Sequence, residues 1–184
     1  MRIITGSAKG QRLKSPKTST TRPTTALVKK ALFSSLDSLV DDWERVLDLY
    51  AGSGALGIEA LSLGAGWVDF VEKVPKCCAI IKENLERTGF TAQAKVYCCS
   101  VSKALTRLNG EYDIVLLDAP YSDPSLLGTL GDLFSSQLVG TGSTVAVQHS
   151  SRQSLPPEIE KLHLVRDRHY GDTCLSIYKQ GGAN

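Results

Sequence analysis

The chain has 184 residues, of which 42% are hydrophobic and 22% charged, and its formal net charge is +2. This length and composition are those of an ordinary soluble globular protein with one sizeable core. No apolar run approaches the length of a membrane span, and residues 1–5 lack the long apolar region of a signal peptide. We therefore expect a cytoplasmic protein that neither crosses nor binds a membrane.

The cysteines agree with a reducing compartment. They are an odd number, Cys77, Cys78, Cys98, Cys99 and Cys174, and their spacing is not that of a disulfide framework. Neither neighbouring pair has C-x-x-C spacing, and adjacent side chains point in different directions along a helix or strand. We expect buried small hydrophobic residues rather than metal ligands.

Positive charge is concentrated at the N-terminus. Residues 1–36 contain eight basic residues and no acidic residue, whereas the remainder of the chain is acidic. A basic arm on an acidic body predicts a polyanionic partner, and nucleic acid is the first candidate. The alternative is a solvated segment whose lysines only aid solubility.

The first forty residues are predicted to form an extension. Residues 1–14 have the pattern of a small hairpin, and residues 15–25 are a polar loop. An amphipathic helix that reaches about residue 40 follows, with an apolar stripe of Leu27, Val28, Ala31, Leu32, Leu36 and Leu39. We divide the chain into this basic extension, 1–40, and a second domain, 41–184.

The second domain opens on the segment that organises the chain. The apolar residues 46–49 predict a buried strand, the segment 50–54 a glycine turn, and the apolar spacing after it a helix. Such a unit receives a cofactor on the loop amides and the helix N-terminus. Residues 52–57, GSGALG, also match the G-x-G-x-x-G pattern of dinucleotide-binding proteins.

Two acidic residues favour a different ligand. Asp48 lies at the end of the strand before the loop, and Glu72 at the end of the next predicted strand. A pyrophosphate beside Asp48 would meet a like charge, costing roughly 3 kcal/mol per charge pair at about 5 Å and an effective dielectric of 20. S-adenosyl-L-methionine (SAM) carries an ammonium and a sulfonium that Asp48 would attract, and its ribose hydroxyls suit Glu72. SAM is therefore the predicted cofactor.

The remainder alternates between strands and helices. Predicted strands cover 67–72, 94–99, 113–118 and 143–149, and predicted helices cover 55–64, 75–88, 101–109, 123–138 and 156–161. Two final strands, 162–170 and 173–179, flank a tight turn and predict an antiparallel hairpin. The predicted fold is α/β, a mostly parallel seven-stranded sheet closed by this hairpin, which is typical of Rossmann-like class I SAM-dependent methyltransferases. An NAD-binding domain would continue with parallel units.

A second chemical site follows the strand that ends at Asp118. The sequence Asp118-Ala119-Pro120-Tyr121 is similar to the D-P-P-Y signature of amino-group methyltransferases, with alanine at the first proline. A carboxylate and a backbone carbonyl that accept the two amine hydrogens would draw the nitrogen lone pair towards the methyl group. Asp118 supplies the carboxylate, Ala119 or Pro120 the carbonyl, and Tyr121 a face on which a base stacks.

Taken together, the motifs resemble the RsmD family, bacterial methyltransferases that act on guanine N2 of small-subunit (16S) ribosomal RNA. The resemblance rests on residues 1–4, 9–13, 22–25, 31–33, 46–61, 70–73, 117–121 and 170–173. It implies a SAM-dependent enzyme of rRNA processing whose partner is small-subunit rRNA, naked or within an assembled particle. We expect a monomer, and no metal, since methyl transfer from a sulfonium needs no Lewis acid.

The resemblance also implies residue roles. The implied cofactor-binding residues are Asp48, Ala51, Gly52, Gly54, Glu72 and Ser100. The implied catalytic residues are Asp118, Pro120 and Tyr121. The implied substrate or RNA-binding residues are Arg2, Lys9, Arg12, Lys14, Arg22 and Thr24. Two positions depart from the family pattern: Ala119 replaces a proline, and Ser100 replaces the aspartate that would receive the adenine amino group.

The sequence is also compatible with two other functions. D-P-P-Y-like sites also serve adenine N6, so a methyltransferase of DNA or of another amine is an alternative. The G-x-G-x-x-G match leaves an NAD-dependent oxidoreductase as a remote one.

Overall fold

The computed structural model describes residues 1–16, 25–41, 43–121 and 123–180. Within these ranges the helices are α1 (Ala26–Asp37), α2 (Ala55–Ser62), α3 (Pro75–Thr88), α4 (Val101–Leu105) and α5 (Leu126–Phe134). The strands are β1 (Arg45–Leu49), β2 (Trp67–Glu72), β3 (Ala94–Cys98), β4 (Ile114–Asp118), β5 (Thr144–Ser150), β6 (Glu158–Ile159), β7 (Leu162–Tyr170) and β8 (Thr173–Gln180). No helix in these ranges is long and apolar enough to span a membrane.

The strands form one sheet in the order β3-β2-β1-β4-β5-β8-β7-β6. Neighbours among β1 to β5 are parallel, whereas β8 pairs antiparallel with both β5 and β7. The described residues contain eight strands rather than the predicted seven, because Glu158–Ile159 pairs with the start of β7. A helix over 156–161 was the wrong expectation: the segment begins with two prolines, and Glu160 turns the chain at φ 55°.

Apolar side chains cover both faces of the sheet. One face packs against α1, α2 and α3 around Val46, Phe70 and Leu116. The other packs against α4 and α5 around Leu47 and Val115. This double covering explains why the central strands are almost continuously apolar. It confirms the predicted α/β fold with a mostly parallel sheet.

The N-terminal segment belongs to the first of these cores. Arg2 and Arg12 form a single antiparallel bridge, so the predicted hairpin is reduced to one pair. Ile3, Ala8 and Leu13 are buried in the same cluster as the residues of α1 and α2. The division of the chain at residue 40 stays a prediction, but the described part of the extension is packed on the sheet domain.

Helix α1 is rotated relative to its predicted apolar stripe. Leu27 is 65% exposed, whereas Lys29 is 1% exposed. The Lys29 ammonium lies 2.6 Å from the carboxylate of Glu59 in α2 and donates to the carbonyl of Arg2 at 2.8 Å. Because this buried pair turns Lys29 inward, Leu27 faces outward. Lys29 therefore adds no positive charge to the surface of the basic arm. Helix α1 ends at Asp37, earlier than predicted.

The cysteines are only partly buried. Cys78 and Cys174 are buried as expected, but Cys98 is exposed, and Cys77 and Cys99 are intermediate. Cys98 ends β3, the edge strand, where the side chain is not covered by a further strand. Its sulfur lies 2.8 Å from that of Cys78 in α3.

Candidate active site

The glycine loop between β1 and α2 is shaped by left-handed backbone. Gly52 (φ 56°) and Gly54 (φ 77°) both adopt it, and Gly54 precedes the first residue of α2. The third glycine has another role: a Cβ at Gly57 would lie 2.3 Å from a ring carbon of Phe70. Gly57 thus allows α2 to pack closely on β2, which fixes the helix N-terminus relative to the strand ends.

Two carboxylates accept hydrogen bonds from the glycine loop and from the first turn of α2. Asp48 Oδ2 accepts a hydrogen bond from the amide of Gly57 at 2.9 Å. Glu72 Oε2 accepts from the amide of Gly52 at 2.9 Å, and its Oε1 accepts from that of Val74 at 2.7 Å. Hydrogen bonds therefore join the predicted cofactor residues Asp48, Gly52 and Glu72 to the same segment, the glycine loop and the start of α2.

Burial raises the pKa of Asp48 from 3.8 to about 8. The Gly57 hydrogen bond lowers this pKa, whereas the nearby charges of Asp118 and Glu72 raise it further. The charges of Glu72 and Asp118 therefore make the site negative, and a bound cation would favour the ionised form of Asp48. This electrostatic character suits the ammonium and sulfonium of SAM and disfavours a pyrophosphate.

The raised pKa of Asp48 predicts a pH-dependent stability. From about pH 4 to about pH 8 the folded protein retains a proton that the unfolded chain has lost, so rising pH destabilises the fold by up to ~1.4 kcal/mol per pH unit. Asp48→Asn cannot titrate. We expect the free energy of unfolding of the variant, minus that of the wild type, to increase with pH across this window and to be constant above it.

Urea unfolding of the ligand-free protein at several pH values measures this difference. The exposed Asp37→Asn is the matched control for removing one carboxylate. A difference between wild type and Asp48→Asn that does not vary with pH would show that Asp48 is ionised throughout.

Asp118 lies at the end of β4 and has a partner from β5. The side-chain amide of Gln148 donates to Asp118 Oδ1 at 2.9 Å, and the two residues are opposite each other in the parallel pairing. Gln148 is buried, so this hydrogen bond orients the carboxylate from within the fold. Sequence reasoning missed Gln148, although its place at the carboxyl end of a central strand was a usable signal.

The residues after Asp118 form the rim of the site. Ala119 is buried in the apolar core, and Pro120 is exposed, with its carbonyl accepting from the amide of Asp123 at 2.8 Å. The Tyr121 hydroxyl is hydrogen-bonded to the Thr173 hydroxyl at the start of β8. The turn of the C-terminal hairpin thus fixes the tyrosine ring, and Thr173 is a second positioning residue that sequence reasoning did not single out.

Asn84 connects the glycine loop to the N-terminal segment. Its amide nitrogen donates to the carbonyls of Ser53 at 2.9 Å and Lys14 at 3.0 Å, and its oxygen accepts from the Lys14 amide at 2.8 Å. Asn84 is fully buried. No pattern in the sequence distinguished it from a surface residue of α3, because its partners lie far away along the chain.

The structure brings most of the predicted site residues together. Glu72 and Asp118 end β2 and β4, and Asp48 is the last residue but one of β1, the strand between them. The amide of Ala51 donates a hydrogen bond to the Val71 carbonyl near the end of β2. Ser100 is exposed and accepts from the Lys103 amide at 3.3 Å as the N-cap of α4, so its part in binding adenine stays a prediction.

The structure describes four of the six implied RNA-binding residues. Arg2, Lys9, Arg12 and Lys14 are exposed. Arg22 and Thr24 lie outside the described residues, so nothing in the structure tests their implied role.

A parallel sheet completed by the antiparallel strands β8 and β7, with acidic residues at the ends of its central strands, defines a Rossmann-like methyltransferase fold. Residues 1–179 match the family described as conserved hypothetical protein 95. The chain belongs to this family, the RsmD family, which confirms the resemblance found in the sequence.

Relatives are similar over nearly the whole chain. YlbH of Bacillus subtilis is 35% identical over 99% of this chain and 100% of its own length. Ribosomal RNA small subunit methyltransferase D of Escherichia coli K12 is 28% identical over 98% of this chain and 90% of its own.

Two solved structures share the fold closely. A protein of Thermus thermophilus has a TM-score of 0.82 and 32% identity, covering 97% of this chain and 99% of its own. The Escherichia coli protein yhhF has a TM-score of 0.85 and 27% identity, with coverages of 99% and 98%.

Proposed function

We propose that this protein transfers a methyl group from SAM to the exocyclic N2 amine of a guanine in small-subunit ribosomal RNA. The observation that supports this chemistry is the position of the Asp118 carboxylate. Asp118 ends β4, two strands away from β2 and Glu72, and Gln148 of β5 holds its carboxylate by a hydrogen bond. The named Escherichia coli relative supports ribosomal RNA as the substrate.

The residues present suit SAM as the cofactor. The loop at Gly52 and Gly54 would receive its methionine part, with Asp48 supplying negative charge beneath. Both oxygens of Glu72 accept one backbone hydrogen bond each, which leaves each a further lone pair for a ribose hydroxyl. When bound, SAM supplies an electrophilic methyl group on a sulfonium.

The chain's own residues would prepare the amine. The lone pair of the amine nitrogen is conjugated with the base, which makes the amine a poor nucleophile. Two acceptors that hold its hydrogens draw the nitrogen towards tetrahedral geometry and direct the lone pair at the methyl group. Asp118 would accept one hydrogen through its carboxylate. The Pro120 carbonyl accepts a hydrogen bond from the Asp123 amide and would accept the other hydrogen through its second lone pair. Tyr121, held through its hydroxyl by Thr173, would stack on the base, a contact worth ~1–3 kcal/mol.

A methyl-transfer assay tests the proposal. Isotope-labelled SAM is supplied with isolated 16S rRNA, small ribosomal subunits and duplex DNA, and the product is mapped by mass spectrometry. A methyl group on guanine N2 of the RNA is expected. Labelling of adenine N6 or of DNA would favour the other amino-group methyltransferases, and a thermal shift with NAD but not with SAM would favour an oxidoreductase.

The exposed N-terminal cations are proposed to hold RNA phosphates. Lys9→Gln with Arg12→Gln should weaken RNA binding and reduce the slope of log Kd against log salt by about 1–2, while leaving SAM binding unchanged. Both side chains are exposed, so this change is sharper than a deletion of residues 1–14, which would remove Ile3 and Leu13 from the core.

Filter binding at several salt concentrations measures the slope. The exposed Lys161→Gln, in the turn between β6 and β7, is the control for loss of one positive charge. An unchanged slope in the double variant would mean that these cations serve solubility only.

A further inference from the structure

Four side chains of metal-ligand type meet on one face of the antiparallel end of the sheet. His149 in β5 is opposite Cys174 in β8, and Cys174 is opposite His169 in β7. Asp167, two residues before His169, lies on the same face of β7. Three adjacent strands in register therefore bring two imidazoles, a thiol and a carboxylate to one place, and the proposed methyl transfer uses none of them.

The ligand atoms are at distances that a metal ion can bridge. Those of His149, Asp167 and Cys174 all lie within 4.8 Å of one another. His169 Nε2 is 3.7 Å from Cys174 Sγ and 3.5 Å from Asp167 Oδ2. Zinc–ligand bonds of about 2.0–2.3 Å place neighbouring ligand atoms of a tetrahedron about 3.3–3.8 Å apart. The 2.9 Å between Cys174 Sγ and Asp167 Oδ1 is too short for two ligands of one ion and must open on binding.

The hydrogen bonds leave lone pairs directed into the cluster. His149 Nδ1 lies 3.0 Å from the Ser150 carbonyl, so this nitrogen donates and Nε2 carries a lone pair when the ring is neutral. Burial lowers the pKa of His149, which favours the neutral ring. The hydroxyl of Ser176 is 2.8 Å from both His149 Nε2 and Asp167 Oδ1, and it has one hydrogen for these two acceptors.

We propose that His149, Asp167, His169 and Cys174 bind a zinc ion that has a structural role. Imidazole nitrogens with a thiolate sulfur select zinc over the oxygen-preferring Mg²⁺ and Ca²⁺. His149 and Cys174 are each 2% exposed and form the floor of the site. The side chains of His169 and Asp167 are 62% and 42% exposed, so solvent ions reach the site from that side.

The proposed ion would stabilise the strands that carry the positioning residues Gln148 and Thr173, without taking part in methyl transfer. His149 follows Gln148, which holds Asp118, and Cys174 follows Thr173, which holds Tyr121. The zinc would fasten β5, β8 and β7 at the point where these two positioning residues are attached. Binding must release the Cys174 thiol proton, because burial and the neighbouring Asp167 raise the pKa of this thiol to about 11.

Cobalt(II) titration of the full-length protein, freed of metal with a chelator, tests the site. Tetrahedral Co²⁺ bound to a thiolate gives a charge-transfer absorption, which should saturate at one ion per chain and disappear when zinc displaces the cobalt. Cys174→Ser should abolish the thiolate absorption. Cys77→Ser, which removes a thiol from α3, should leave it unchanged.

A second variant covers the case in which Cys174→Ser does not fold, as judged by circular dichroism. His169→Ala changes an exposed side chain and should weaken zinc binding at least tenfold, with a smaller zinc-induced rise in Tm. Absence of a thiolate–cobalt absorption in the wild type, or equal zinc affinity in wild type and His169→Ala, would overturn the site. Both readouts are independent of methyltransferase activity.

Discussion

Asp118→Ala is expected to lower kcat on ribosomal RNA by about 10²–10³-fold, the effect of removing one preorganised electrostatic group. The amine nitrogen gains positive charge as the methyl group arrives, so the attraction to Asp118 grows in the transition state. Loss of such an interaction changes kcat more than KM. Single-turnover methylation under saturating SAM and RNA measures the effect, with calorimetry to show that SAM still binds.

Two further variants separate charge from orientation. Asp118→Asn keeps an acceptor oxygen and should fall between wild type and alanine. Gln148→Leu keeps the Asp118 charge but removes the hydrogen bond that orients it, so we expect a smaller loss of kcat than in Asp118→Ala. Normal turnover by Asp118→Ala would exclude residues 118–121 as the active site and leave the cofactor loop as the only support for the chemistry.

Glu59→Ala is expected to destabilise the fold by about 3–5 kcal/mol, the cost of removing one partner of a buried ion pair. Glu59 is fully buried and accepts from the amides of Ile4 at 2.9 Å and Thr5 at 2.6 Å, besides pairing with Lys29. The variant leaves a buried ammonium and two backbone donors without this acceptor. It should also loosen the N-terminal segment, because Glu59 is one of the groups that attach that segment to α2.

Urea unfolding gives the free-energy difference, and hydrogen exchange at residues 3–5 reports the loosening. The matched control is Glu83→Ala, whose pair with Lys14 is equally short at 2.6 Å but has side chains 40% and 51% exposed. An exposed pair of this kind contributes ~0–1 kcal/mol. If the two variants lose the same stability, then burial of the Lys29–Glu59 pair does not govern its energy.

The elements that the sequence predicted best are those with strong local signals. Strand β2 and helix α3 have their predicted bounds. Helix α3 has Pro75 at its first position, and Gly89, with φ 79°, caps its last residue, Thr88. The glycine loop was equally clear, because its turn requires glycine at set positions. Where the local signal was weak, as over residues 156–161, the prediction of a helix was wrong.

The orientation of side chains was less predictable than the elements that carry them. Leu27 was assigned to the buried stripe of α1, and Lys29 was one of the eight basic residues counted in the N-terminal arm. The structure exposes Leu27 and buries Lys29. Cys98 was expected inside and lies on the edge strand. Each of these outcomes depends on a partner or a missing neighbour elsewhere in the chain, which propensity and periodicity do not describe.

Except at β6, the sequence by itself determined the order of strands and helices, together with the glycine loop and the acidic residues near the strand ends, because hydrophobic period and turn chemistry act over a few neighbouring residues. Only the tertiary structure decided the pairs that join distant segments: Asp118 with Gln148, Glu59 with Lys29, and His149 with Cys174. The first and third contacts arise from strand order and register in the sheet, and the second arises from the packing of α1 against α2. A hydrogen bond or an ion pair needs its two groups within a few ångströms, and that condition is met only when the sheet has formed.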